Sequence, residues 1–82
     1  TEAINKAYPD FTSRLYQYYP KLSSHELRVC CLTKIGMSRT QMAELLSHSV
    51  SSISNTLSRL YTKITGEKGS VQKMTEFLYK LV

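Results

Sequence analysis

Two histidines and two cysteines are the residues of this chain suited to metal or thiol chemistry. Cys30 and Cys31 are adjacent, and neighbouring cysteines do not meet disulfide geometry with each other without backbone strain. A zinc site would need His25 and His48 to join them, yet the sequence has no C-x-x-C or H-x-x-x-H spacing. The acidic residues form no carboxylate pair, and no nucleophile has a base within reach by spacing. The expectation is no catalytic residue, no metal and no cofactor. Both cysteines fall inside an apolar helical pattern, which makes them small core residues of a reduced, cytoplasmic protein.

Residues 50–64 carry a different kind of chemistry. Val50, Ile53, Leu57, Leu60 and Ile64 recur at spacings of 3 and 4, the stripe of a core-facing helix. With Ile53 pointing inward, successive steps of about 100° place Ser51, Asn55, Ser58 and Thr62 on the opposite side, flanked by Ser54 and Arg59. Serine, asparagine and threonine are mediocre helix formers, and solubility alone would be better served by Glu, Lys and Gln. Short hydroxyl and amide groups do let a helix backbone approach base edges; Asn pairs with adenine and Arg forks onto guanine. No acidic residue lies between Glu44 and Glu67, as a surface approaching phosphates requires. The expected base-facing set is therefore Ser51, Ser54, Asn55, Ser58 and Arg59. The expected phosphate contacts are Arg39, Thr62 and Lys63, with Lys21 and Lys34 as weaker, solvated candidates. The competing reading of this stripe is an ordinary solvated helix face.

Such a face needs elements to hold it. Ala3, Ile4, Ala7 and Tyr8 have helical spacing that Pro9 cuts. Asp10 is placed to cap a helix carrying Phe11, Leu15, Tyr18 and Tyr19 on one side, closed by Pro20. Ser23 and Glu26 have the capping-box spacing ahead of Leu27, Cys30, Cys31 and Ile35, and Gly36 ends that helix near residue 35. Ser38 and Gln41 repeat the box ahead of Met42, Leu45 and Leu46, for a short helix over about 39–46. Gly66 and Gly69 flank a charged turn, and Val71, Met74, Leu78 and Leu81, widened by Phe77 and Val82, make the stripe of a last helix. No stretch alternates at period two, so the predicted fold is all-α, with helices over about 24–35, 39–46 and 50–64 in the lengths of a helix-turn-helix.

With 82 residues, 41% of them hydrophobic, the chain holds one thin core and no deep catalytic pocket, which argues against a stand-alone enzyme. Eleven Lys and Arg against six Asp and Glu give a net charge of +5, which favours anionic partners. No run approaches the ~20 apolar residues of a membrane span, and no secretion signal opens the chain. Thr1 in place of an initiator Met reads as an excised piece of something longer.

Three blocks resemble the LuxR-type helix-turn-helix domain of bacterial transcription regulators, in a form similar to a Bacteroidetes variant. Leu22-Ser23-Ser24-His25-Glu26-Leu27-Arg28-Val29-Cys30 is similar to the family's L-T-x-x-E-x-x-V-L. Gly36-Met37-Ser38-Arg39-Thr40-Gln41-Met42-Ala43-Glu44-Leu45-Leu46 resembles G-L-S-N-K-E-I-A-E-x-L. Ser49-Val50-Ser51-Ser52-Ile53-Ser54-Asn55 resembles S-x-x-T-V-K-N, and Lys63-Ile64 the closing K-L. The match runs over about 22–66. It implies an N-terminal helical extension over 1–20 and a DNA-binding domain over 21–82, a four-helix core plus that extension. It further implies that 50–64 enters the major groove of double-stranded DNA under the control of an upstream sensing domain. A homodimer through the last helix follows from the resemblance too, with Met74, Phe77, Leu78 and Leu81 as its contacts, RNA polymerase as a further partner and no membrane contact. The departures Ser54, where the family has a basic residue, and Thr56, where it has His, imply fewer phosphate contacts. Two rivals fit the same features, a helical protein-interaction domain and a sigma-factor-like promoter-contacting module.

Overall fold

The computed structural model describes residues 10–81. The helix expected from Ala3 to Tyr8, and Val82, lie outside them. The fold is all-α: α1 Phe11–Tyr18, α2 Ser24–Lys34, α3 Arg39–Leu46, α4 Val50–Thr65 and α5 Val71–Lys80, with no strand among the described residues.

Both capping boxes form. Ser23 Oγ accepts the Glu26 N–H at 3.1 Å while Glu26 Oε1 accepts the Ser23 N–H at 2.9 Å. Ser38 and Gln41 make the same reciprocal pair at 3.1 Å each. Each cap satisfies helix-end N–H groups and contributes roughly 1 kcal/mol. Asp10 does not cap with its side chain as expected; it holds α1 through its carbonyl, which accepts the Arg14 N–H at 2.9 Å.

Helix ends are equally explicit. Gly36, at φ +93°, lets α2 close with Gly36 N–H on Thr33 O and Met37 N–H on Leu32 O, the two bonds of a Schellman turn. The end of α3 makes the same pair, Ser47 N–H on Glu44 O and His48 N–H on Ala43 O. Here a serine, at φ 57°, occupies the left-handed position. The three residues Ser47, His48 and Ser49 separate α3 from α4, and Ser49 Oγ caps α4 by accepting the Ser52 N–H at 3.1 Å.

One core joins all five helices. Phe11 and Leu15 of α1 are buried in it together with Val29, Cys30, Ile53, Leu57 and Leu78. Phe11 and Leu15 thus pack into the core formed by 21–81. Cys30 and Cys31 are buried and free, and burial pushes both thiols upward, away from the reactive thiolate.

Four apolar positions depart from the predicted stripes. Ile35, 50% exposed, is the C-cap of α2, already beyond its last turn. Leu45 is 61% exposed because Ala43 is buried beside Met42, which rotates the inward arc of α3 away from position 45. Val50 is exposed as the first residue of α4, and Tyr18 as the last of α1.

The largest departure is polar. Lys34, expected to be solvated, is buried, and its Nζ donates to the carbonyls of Leu78, Tyr79 and Leu81 at 3.0 to 3.1 Å. A cation at this C-terminus meets carbonyls that α5 cannot satisfy itself and the negative end of its dipole.

Candidate nucleic-acid interface

α4 buries Ile53, Leu57 and Leu60 and leaves Ser51, Asn55 and Arg59 exposed at intervals of one helical turn. Beside this stripe runs an open cleft of about 550 Å³ between the start of α2 and α4 from its cap to Lys63; Ser23, His25, Glu26, Asn55, Arg59 and Lys63 are among its walls. Four predicted residues, Ser51, Asn55, Arg59 and Lys63, therefore share one concavity.

The other predicted residues are divided differently. Arg39 donates from Nη1 to Ser54 Oγ at 3.0 Å, which clasps the first turn of α3 to α4. Ser58 and Thr62, on the same helix, are contacted by the segment that follows α4. Gly69 packs so closely on the Ser58 carbonyl that a Cβ would collide with it. The Gly69 N–H donates to Thr62 Oγ1 at 3.1 Å, and the Thr62 hydroxyl donates to Ser58 O at 3.4 Å. The small side chains here admit the chain's own backbone.

Lys63 is ion-paired with Glu26 at 3.1 Å. Burial alone would raise the Glu26 carboxyl, but the Ser23 N–H and hydroxyl and the Lys63 ammonium outweigh it and hold the group below its ordinary range. The one acidic side chain lining the cleft is thus matched by a cation.

The dimer contacts implied by the resemblance fare worse. Met74, Leu78 and Leu81 are buried in the chain's own core, out of a partner's reach. Phe77 is half-buried, its ring edge-on to Tyr18 at 5.1 Å.

No protein-family model, curated protein or solved structure matches this chain.

Spacing alone missed two further groups at the interface. Lys68 lines a surface groove with Arg59, Thr62 and Lys63, brought there by the Gly69 contact. His25 and His48, set aside for want of metal spacing, lie ring against ring at 4.8 Å. Capping serines were the signal: Ser23 places His25 in the first turn of α2, and Ser49, which follows His48, places His48 in the turn just ahead of α4.

Proposed function

We propose that this chain binds double-stranded DNA, with the first turns of α4 in the major groove, as the output domain of a bacterial transcription regulator of the LuxR type. The observation that carries the reading is the exposed stripe Ser51, Asn55 and Arg59 on a helix whose flanking cleft has no unpaired carboxylate. Asn55 supplies the amide that pairs with adenine, and Arg59 the fork for guanine or phosphate. Arg39 acts by fixing α3 against Ser54, and Lys63 by holding Glu26, so direct phosphate contacts fall to Arg59 and Lys68. A cytoplasmic location and contact with RNA polymerase belong to the same proposal. Pairing of two copies on DNA would have to use Phe77, Tyr79 and Tyr18, since the rest of the α5 stripe is committed to the core.

Exposed Leu45, next to Leu32 and Leu46 in a small apolar groove beside Arg28, favours a second reading, a protein-interaction domain. Fluorescence anisotropy on a selected duplex and on random duplex separates the two. Asn55→Ala is expected to cost roughly 1 to 3 kcal/mol on the preferred site and almost nothing on random sequence. A wild-type domain that binds neither duplex at low salt returns the function to protein interaction.

A further inference from the structure

His25, which lines the cleft, and His48, whose ring lies against that of His25, are groups that the DNA reading does not use. His25 is half-buried in the second position of α2, and His48 is exposed in the turn between α3 and α4. His25 Nε2 lies 3.3 Å from Thr56 Oγ1, and the Thr56 hydroxyl donates to the Ser52 carbonyl at 3.0 Å. A hydroxyl has one proton to give. His25 Nε2 must therefore be the donor to Thr56, which leaves Nδ1 as the nitrogen that takes up a second proton. The ring is fixed to α4 in either charge state.

The charged groups around the pair are few. From α4, Arg59 and Lys63 line the same cleft as His25; from α2 comes Glu26, already paired with Lys63. α3 contributes Glu44, exposed and four residues before His48. Protonating two imidazoles in tilted ring contact, one of them in the same cleft as Arg59, accumulates positive charge that no unpaired carboxylate lining the cleft offsets. An anion seated there would offset it, so proton uptake and anion binding must favour each other.

We infer that His25 and His48, with Arg59, form a phosphate-binding site in the α2–α4 cleft, and that it holds a backbone phosphate of bound DNA with uptake of protons. The site class rests on the cleft's geometry; DNA as the source of the phosphate rests on the proposed function.

The test uses two probes, inorganic phosphate and a duplex of about 20 base pairs, at constant ionic strength between about pH 8 and pH 6. NMR of the histidine ring protons reports the site in the wild-type chain. Their titration midpoints are expected to rise with either probe, and duplex affinity to increase on acidification by up to about tenfold per pH unit for each linked proton. His48→Gln, which leaves the His25 to Thr56 bond in place, and the double variant His25→Gln with His48→Gln should flatten that dependence stepwise. An unchanged pH slope in the double variant overturns the inference and leaves DNA binding intact. Ring protons that respond to phosphate in a chain that never binds duplex support the site and remove DNA as its partner. Ring protons indifferent to both probes overturn the inference outright.

Discussion

The two halves of α4 are built from the same residue types and put them to opposite uses. In the first half, capped by Ser49, small polar groups at 51 and 55 stay exposed beside a cleft. In the second half, the equally small Ser58 and Thr62 are where the backbone of Gly69 rests. A short side chain permits close approach, and the rest of the chain decides whether the approaching group is external or its own loop. Of these small polar groups, only Ser51 and Asn55 keep the freedom that recognition of another molecule needs, beside the exposed Arg59.

The sharpest way to break this contrast is Gly69→Ala. The added methyl meets the Ser58 carbonyl, which belongs to helix backbone and cannot rotate aside. A loss of about 2 to 3 kcal/mol is expected, the upper part of the range for overpacked sites, read as a fall of roughly 10 to 20 °C in melting temperature for a domain of this size. Asn55→Ala, in the open half, should change stability by no more than about 0.5 kcal/mol. Equal melting shifts in the two variants would erase the distinction.

A smaller effect is expected where the chain enters the open half. Gly36 and Ser47 hold equivalent left-handed positions after α2 and α3, but only the glycine does so without steric cost from a Cβ. Ser47→Gly should therefore stabilise the domain by about 0.5 to 1 kcal/mol, since relief of the strain outweighs the added freedom of the unfolded chain. Chemical denaturation with an unchanged slope would register it as a shift in midpoint. If the substitution destabilises instead, Ser47 contributes something at the turn that its backbone angles do not capture.

Local signals in the sequence were sufficient for the elements and insufficient for the division of α4. Ser23 with Glu26, Ser38 with Gln41, and Gly36 act within a few residues, so all-helical order and the starts of α2 and α3 follow from spacing. The inward positions Ile53, Leu57 and Leu60 follow from period alone. The loop over Ser58 and Thr62 depends on where Gly69 travels after α4 ends, a contact between residues 11 positions apart. Lys34 finding the last carbonyls of α5 spans more than 40 positions, and a lysine at an apolar phase of α2 was the faint sign of it. Arg39 and Lys63 look like free cations on a helical wheel; the partners that occupy them, Ser54 and Glu26, come from other helices. Helical phase tells which residues face outward from their own helix and says nothing of what lies opposite.

The smallest effect concerns the end of α4, where Lys63 crosses to Glu26 in the cleft. The Glu26 carboxyl is held below its ordinary range, so its contribution to stability is complete above the unfolded value, near pH 4.3. That contribution is lost as the pH falls through the lower folded value. Lys63 is about half exposed, and solvent screening limits the pair to roughly 0.2 to 1 kcal/mol. Glu26→Gln keeps an N3 side chain that can return to the Ser23 N–H, as Gln41 does to Ser38, while removing the charge. The variant should melt close to wild type at low pH and slightly below it at neutral pH, and high salt should narrow the neutral gap. At neutral pH it also frees Lys63 at the edge of the cleft. If that cation then reaches a phosphate, the salt slope of DNA affinity steepens by about 0.9 for each additional phosphate neutralised. A variant with wild-type slope and wild-type acid sensitivity would show that the pair neither stabilises the fold nor restrains Lys63.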